Sequence, residues 1–169
     1  GRVYTEEIQF ETRNFNPVLN LDSDGSTGNS PNYYGVAWEQ TPLGALADDD
    51  LVLNDPDGDP ITKMSIVLKV KSKSGYDALV YNSVHPEVLV SGLNSDSLIF
   101  EAQSHLPDSI WVDVLRNTYL LNSSEMPDTS TIRQIEIWIA DSESQSETTT
   151  AFLRVKAVND APVCTTATL

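Results

Sequence analysis

The chain has 169 residues, 40% of them hydrophobic, which is enough to bury the core of one domain and too apolar for a disordered tail. Against 10 basic residues stand 25 acidic ones, a formal charge of −15 that would repel nucleic-acid phosphates and suits cation binding or high solubility instead. A single cysteine, Cys164, excludes an internal disulfide, and no apolar run approaches the roughly 20 residues of a membrane helix.

The first candidate strand is "EEIQFET", with Ile8 and Phe10 on one face, followed by "RNFNPV". Next, Tyr33, Tyr34 and Trp38 cluster beside Glu39. They read either as first-strand core or as a patch for a carbohydrate or another partner. Then comes "NDPDGDPI", Asn54 to Ile61, with Asp55, Asp57 and Asp59 at alternate positions. Pro56, Gly58 and Pro60 keep this backbone out of helix and sheet ladder. Carboxylates so closely spaced repel one another unless something positive lies between them. A hard cation with oxygen ligands answers both features; a solvated acidic turn is the alternative. The spacing is not that of an EF-hand, because glycine falls at the fourth position and Ile66 stands at the twelfth, where a glutamate belongs.

Beyond the loop, "ITKMSIVLKVK" offers Ile61, Met64, Ile66, Leu68 and Val70 at mostly alternate positions. "DALVYNS", "EVLVSG" and "DSLIFEA" are short strand-like runs between turn residues. In "HLPDSIWVDVLRNTYLLNSS" the spacing of Ile110, Trp111, Val114 and Leu115 changes to that of a helix. This predicts a short helix over 108–117, capped by Asp108, that plugs one end or side of the domain with Trp111 in the core. Asn122-Ser123-Ser124 is an N-glycosylation sequon, which makes Asn122 a candidate modification site and points to an extracellular location. "RQIEIWIAD" alternates Ile135, Ile137 and Ile139 with polar residues, and "TTAFLRVKAV" alternates Phe152 or Leu153 with Val155. Many short strands with turns between them predict an all-β, mainly antiparallel β-sandwich with one short helix. Ile66, Leu68, Ile137, Ile139 and Val155 are its expected core.

The chain also repeats itself. Laying Pro17 on Pro162, an offset of 145 residues, sets Ile8 on Leu153, Phe10 on Val155, Asn14 on Asn159 and Val18 on Val163. One strand and linker seen twice is what a tandem array looks like when cut mid-repeat. Residues 1–16 are then the last strand and linker of a preceding repeat, 17–163 one whole repeat, and 164–169 the start of the next or a tail.

Nearly the whole chain, and above all "NDPDGDPITKMSI" with the distant "IADSESQSETTTAFLRVKAVNDAPV", resembles the cadherin-like tandem repeats of large extracellular proteins. The resemblance implies an Ig-like sandwich with calcium held between successive repeats. Carried over residue by residue, Glu39, Asn159 and Asp160 belong to the lower pole. Asp55 and Asp57, with Asp59 in the same loop, and Asp141 belong to the upper pole, facing the incoming linker. Asn14 and Asn16 are that linker's own ligands, helped by Asp22 and Asp24. The chain departs from the pattern: it has no L-D-R-E motif, and Phe15 stands where the downstream linker has Asp160. Between zero and two calcium ions are therefore expected.

Catalysis is not expected. There is no G-x-S-x-G, and His85 and His105 lie twenty residues apart in loop-like sequence, with no cysteine or carboxylate at zinc-ligand spacing. The resemblance points to a calcium-stiffened rod segment and adhesion module at the cell surface, with neighbouring repeats and homophilic or other surface proteins as partners. A purely structural repeat of a filament or coat, and a carbohydrate-binding sandwich, are the alternatives. Neither nucleic acid nor membrane insertion enters.

Overall fold

The computed structural model describes residues 13–41, 43–73 and 75–160. The first half of the chain forms β1 (Val18–Asn20), β2 (Tyr33–Trp38), β3 (Gly44–Ala45), β4 (Val52–Asn54), β5 (Lys63–Val70) and β6 (Asp77–Tyr81). The second half forms β7 (Val88–Ser91), β8 (Ser97–Ala102), helix α1 (Asp108–Arg116), β9 (Thr118–Asn122), β10 (Ile132–Ala140) and β11 (Thr149–Lys156). The expected sandwich of strands with one short helix is what the chain builds. The strands form a six-stranded sheet in the order β2-β11-β10-β5-β8-β7, a three-stranded sheet β3-β9-β6 and a small β1-β4 ladder. Every pairing is antiparallel except β2 with β11, which run parallel.

Alternation decides the core. In β10 it turns Arg133, Ile135, Ile137 and Ile139 inward, and Ile66 and Met64 of β5 lie opposite Ile137 and Ile139. In β11 the inward residues are Ala151, Leu153 and Val155, so Leu153 rather than Phe152 packs inside. All five expected core residues are buried. The three-stranded sheet adds Leu79 and Leu120 to the same cluster.

Arg133 is the one charged residue among the buried positions of β10. Its Nε donates to Asp77 Oδ2 at 3.0 Å, and both side chains are shut off from solvent. Asn122 Nδ2 donates to Asp77 Oδ1 at 2.6 Å, and the Ser72 amide donates to Oδ2 at 2.7 Å. A buried charge pair persists only with its remaining lone pairs satisfied in this way. The arrangement also corrects the reading of Asn122 as a glycosylation site. Its side chain is fully buried and its amide nitrogen is already spent on Asp77, so this packing leaves no room for a glycan.

Helix α1 begins at the expected position and ends one residue early, at Arg116. Trp111, Val114 and Leu115 are its buried face. The expected cap is corrected: Pro107 holds the N-cap position without a side-chain bond, and Asp108 is the first helical residue. The Trp111 indole N–H donates to the Ile61 carbonyl at 3.1 Å, which satisfies its one polar atom inside the core. That bond also ties the helix to the segment leaving the D-P-D-G-D loop.

The ladder fixes two poles. Lys63, at the start of β5, lies opposite Ala140, at the end of β10, so the loops before and after them open at one end. From that upper pole β11 runs eight residues, roughly 25 Å, to the lower one, with β2 beside it. The expected strand over residues 5–12, with Ile8 and Phe10, and the tail with Cys164 lie outside the described residues.

Candidate metal centre

The upper pole is built on the loop that leaves β4. Gly58 adopts a φ of +80°, a left-handed conformation that suits glycine, and closes the turn by donating its amide to the Asp55 carbonyl at 3.2 Å. The amides of Asp57 and Asp59 both donate to Asp55 Oδ1, at 2.8 and 3.1 Å. This draws three carboxylates together: Asp55, Asp57 and Asp59 each present an oxygen within 4.8 Å of the others. Asp55 is buried, and its second oxygen, Oδ2, has no partner.

The incoming segment reaches this loop as expected. The Phe15 amide donates to Asp57 Oδ2 at 2.6 Å. Arg13 and Asn14 line a cleft of about 540 Å³ together with Asp57, Asp59 and Glu143. Asn14 Oδ1 is a second buried oxygen without a partner. Among the described residues Arg13 is the one base lining the cleft, and its guanidinium lies 5.3 Å from the centre of the Phe15 ring. Asn16 is exposed and makes no hydrogen bond to the loop among the described residues.

Asp141 lies at the same pole, but its carboxylate is used elsewhere. Its carbonyl accepts from Thr62 Oγ1 at 2.8 Å, while Oδ1 accepts from the Ser144 amide at 2.6 Å and Oδ2 from Ser144 Oγ at 2.9 Å. Burial raises its pKa, and the amides of Glu143 and Ser144 with the Ser144 hydroxyl outweigh that, holding the carboxyl below the ordinary range. Asp141 shapes its own turn beside the three-aspartate group and is not part of it.

The expectation for Asp22 and Asp24 is corrected. In the β1-β4 ladder Val18 lies opposite Asn54 and Asn20 opposite Val52, so Asp22 is carried away from Asp55. It gathers with Asp24, Asp48 and Asp50 instead. This second acidic group is satisfied from within. Asp22 Oδ1 accepts from the Ser26 amide, and its Oδ2 from the amide and hydroxyl of Thr27. Asp50 accepts from the Ser23 amide and hydroxyl and from the Asp24 amide. The Thr27 hydroxyl leads in lowering the pKa of Asp22. No oxygen here is buried without a partner, although the four carboxylates lie close enough together to hold an ion. The run Asp48-Asp49-Asp50 was the sequence signal for the group's other half.

At the lower pole the Glu39 amide donates to the Lys156 carbonyl at 3.0 Å, at the exit of β11. Glu39 is buried and its Oε2 lacks a partner. Asn159 and Asp160 follow in the exposed exit segment. Glu39 thus stands at the opposite end of β11 from the loop of Asp55 and Asp57.

The aromatic cluster beside Glu39 divides. Tyr33 is half-buried, whereas Tyr34 and Trp38 are exposed on the outer face of β2. Tyr34 stacks on Phe152 with ring centres 4.7 Å apart, and Lys156 Nζ lies 5.3 Å from the Trp38 ring. Scanned against protein-family models the chain matches none, and no curated protein matches it.

Proposed function

We propose that this chain is a calcium-binding β-sandwich repeat of an extracellular protein, a rod segment and adhesion module of the cadherin-like kind its sequence resembles. One observation carries the reading: Asp55 Oδ2 is buried without a partner beside two further carboxylates, in a loop bonded to the incoming segment. Burying a charged oxygen unpaired costs several kcal/mol unless a cation or a donor relieves it. Calcium, which takes oxygen ligands from carboxylates and amide carbonyls, fits this set. Asp55, Asp57 and Asp59 would hold it, with Asn14 Oδ1 as the linker's contribution. An ion there would stiffen the junction between the repeat and the segment entering it, which is the property a rod of tandem repeats requires. Glu39 and Asp160 would offer the complementary half-site to the next repeat.

The test is thermal unfolding of the chain with calcium and with chelator. At a hundredfold excess over the dissociation constant, calcium is expected to add about 2.7 kcal/mol. A melting temperature indifferent to millimolar calcium would leave a purely structural repeat of a filament or coat as the better account.

A second reading is favoured by the outer face of β2 and β11. Tyr34, Val36, Trp38 and Ile132 are exposed there beside Arg154 and Lys156, neither of which has a carboxylate partner among the described residues. Aromatic rings with free cations suit a carbohydrate carrying acidic groups. A glycan array with wild type and Trp38→Ala separates this activity from the first.

A further inference from the structure

The acidic loop has a second side, and it faces the helix. Behind the loop lies a cavity of about 220 Å³ lined by Asp55, Asp59, His105, Pro107 and Asp108. A water occupies about 30 Å³ in the liquid, so the cavity has room for a cation and several of its waters. The loop forms one wall and the first turn of α1 the other. The bond from the Trp111 indole to the Ile61 carbonyl holds the two walls together.

Each wall presents an unused carboxylate. Asp55 Oδ1 is taken by two loop amides, which leaves Oδ2, buried and unpartnered, for the cavity side. Asp55 itself is only 8% exposed. Asp108 caps nothing and has no hydrogen bond or ion pair among the described residues. Asp108 is exposed on its outer side and lines the same cavity as Asp55 and Asp59. Asp55 and Asp108 thus face one cavity from opposite walls, with His105 on the same lining. The start of a helix carries about half a positive charge, which disfavours a cation, but three carboxylates outweigh it.

We propose that Asp108 is a further ligand of the cation held by the D-P-D-G-D loop, so that one ion clamps helix α1 to that loop. The proposal rests on the reading that the loop binds calcium. It adds the helix as the second wall of the site, and nothing in the loop's own spacing announced it. An oxygen ligand contributed across the cavity raises affinity by its charge and fixes the helix start once the ion is bound.

The experiment is a calorimetric titration of the full chain with calcium, for wild type, Asp57→Ala and Asp108→Asn, followed by hydrogen exchange of α1 with and without the ion. Asp108→Asn removes one charge from an exposed position and is expected to fold as wild type does. Wild type should bind, Asp57→Ala should not, and Asp108→Asn should bind about tenfold more weakly or worse. Calcium should slow exchange in the first turns of α1 in wild type and leave it unchanged in Asp108→Asn. If Asp108→Asn binds as tightly as wild type, or its helix is still protected, Asp108 is not a ligand and the loop site stands without it. If wild type does not bind, the loop reading and the clamp both fall.

Discussion

The main-chain amide of Phe15 donates to Asp57 Oδ2 at 2.6 Å, joining the segment that enters the sandwich to an acidic loop 42 residues further on. Asp57 is therefore an anchor and, under the proposed function, also a ligand, and the two roles are separable. Asp57→Ala loses one exposed hydrogen bond, which costs about 1 kcal/mol without calcium. It should lose nearly all of the calcium-induced gain, about 2.7 kcal/mol at a hundredfold excess of ion. Melting curves of both proteins with calcium and with chelator measure the two effects. An equal calcium shift in both would remove Asp57 from the site.

Asp55 calls for the opposite substitution effect without the ion. Its Oδ1 is bonded to the amides of Asp57 and Asp59, and Asn retains that acceptor. The amide nitrogen would replace the unpartnered Oδ2 and could donate to the neighbouring carboxylates. Asp55→Asn is expected to raise calcium-free stability by about 1 kcal/mol and to abolish the calcium response. Urea unfolding in chelator reads the first effect. A loss of stability there would mean that Oδ2 has a partner in solution.

The Arg133–Asp77 pair makes the fold sensitive to acid. Burial raises the pKa of Asp77, but the Ser72 amide, Asn122 and Arg133 together outweigh it and hold the carboxyl below its ordinary range. A carboxyl depressed in the folded chain contributes stability that is fully present above the unfolded value of about 3.9, and lost as pH falls through the folded value. Stability from Asp77, and likewise from Asp141, should therefore hold from neutral pH to about 5 and decline below about 4. Asp77→Asn leaves Arg133 charged, buried and unpaired, and should cost about 3–5 kcal/mol at neutral pH. Replacing both residues with apolar ones of similar volume should recover most of that, as urea unfolding of the single and double variants will show.

Asn122 is held inside the same network, its side chain donating to Asp77 and accepting from the Ser124 amide at 3.2 Å. Folded protein from a glycosylating secretory host should therefore carry no glycan on Asn122, which intact mass before and after glycosidase treatment will decide. Asn122→Ala is expected to cost about 1–3 kcal/mol, because it strips a bond from a buried carboxylate.

Much of this was legible in the sequence, and the failures share a cause. Strict alternation in "IEIWIA" predicted the inward isoleucines, because a period of two has only one solution once a face is buried. Helical spacing located α1 for the same kind of reason. The acidic loop was legible because its three carboxylates lie within five residues of one another. What escaped depends on contacts between distant segments. Asp77 and Arg133 are 56 residues apart, and nothing local marks either as the other's partner. Asp22 was assigned by its nearness in sequence to the linker, while the register of a three-residue ladder sends it to Asp50 instead. The sequon misled because a triplet records chemistry and not exposure. Asp108 was read as a helix cap, a local role that Pro107 holds instead.

The last expectation concerns the lower pole. Glu39 is 3% exposed, its Oε2 has no partner, and it lies beside the exit of the chain, where a following repeat would begin. In the chain alone, a buried carboxylate in this state is a liability. A neutral amide is cheaper to bury than an ionised carboxylate, so Glu39→Gln should raise calcium-free stability by about 1 kcal/mol. With the next repeat attached, the same oxygen becomes useful if Asp160 and the neighbour complete a calcium site around it. Glu39→Gln should then reduce the calcium-induced gain of a two-repeat protein while leaving that of the single chain untouched, since the single chain's gain arises at the opposite pole. Differential melting of the four proteins with calcium and with chelator resolves these cases. A substitution that weakens the single chain in chelator would show that Glu39 is a structural carboxylate with a partner of its own, and would remove it from the half-site.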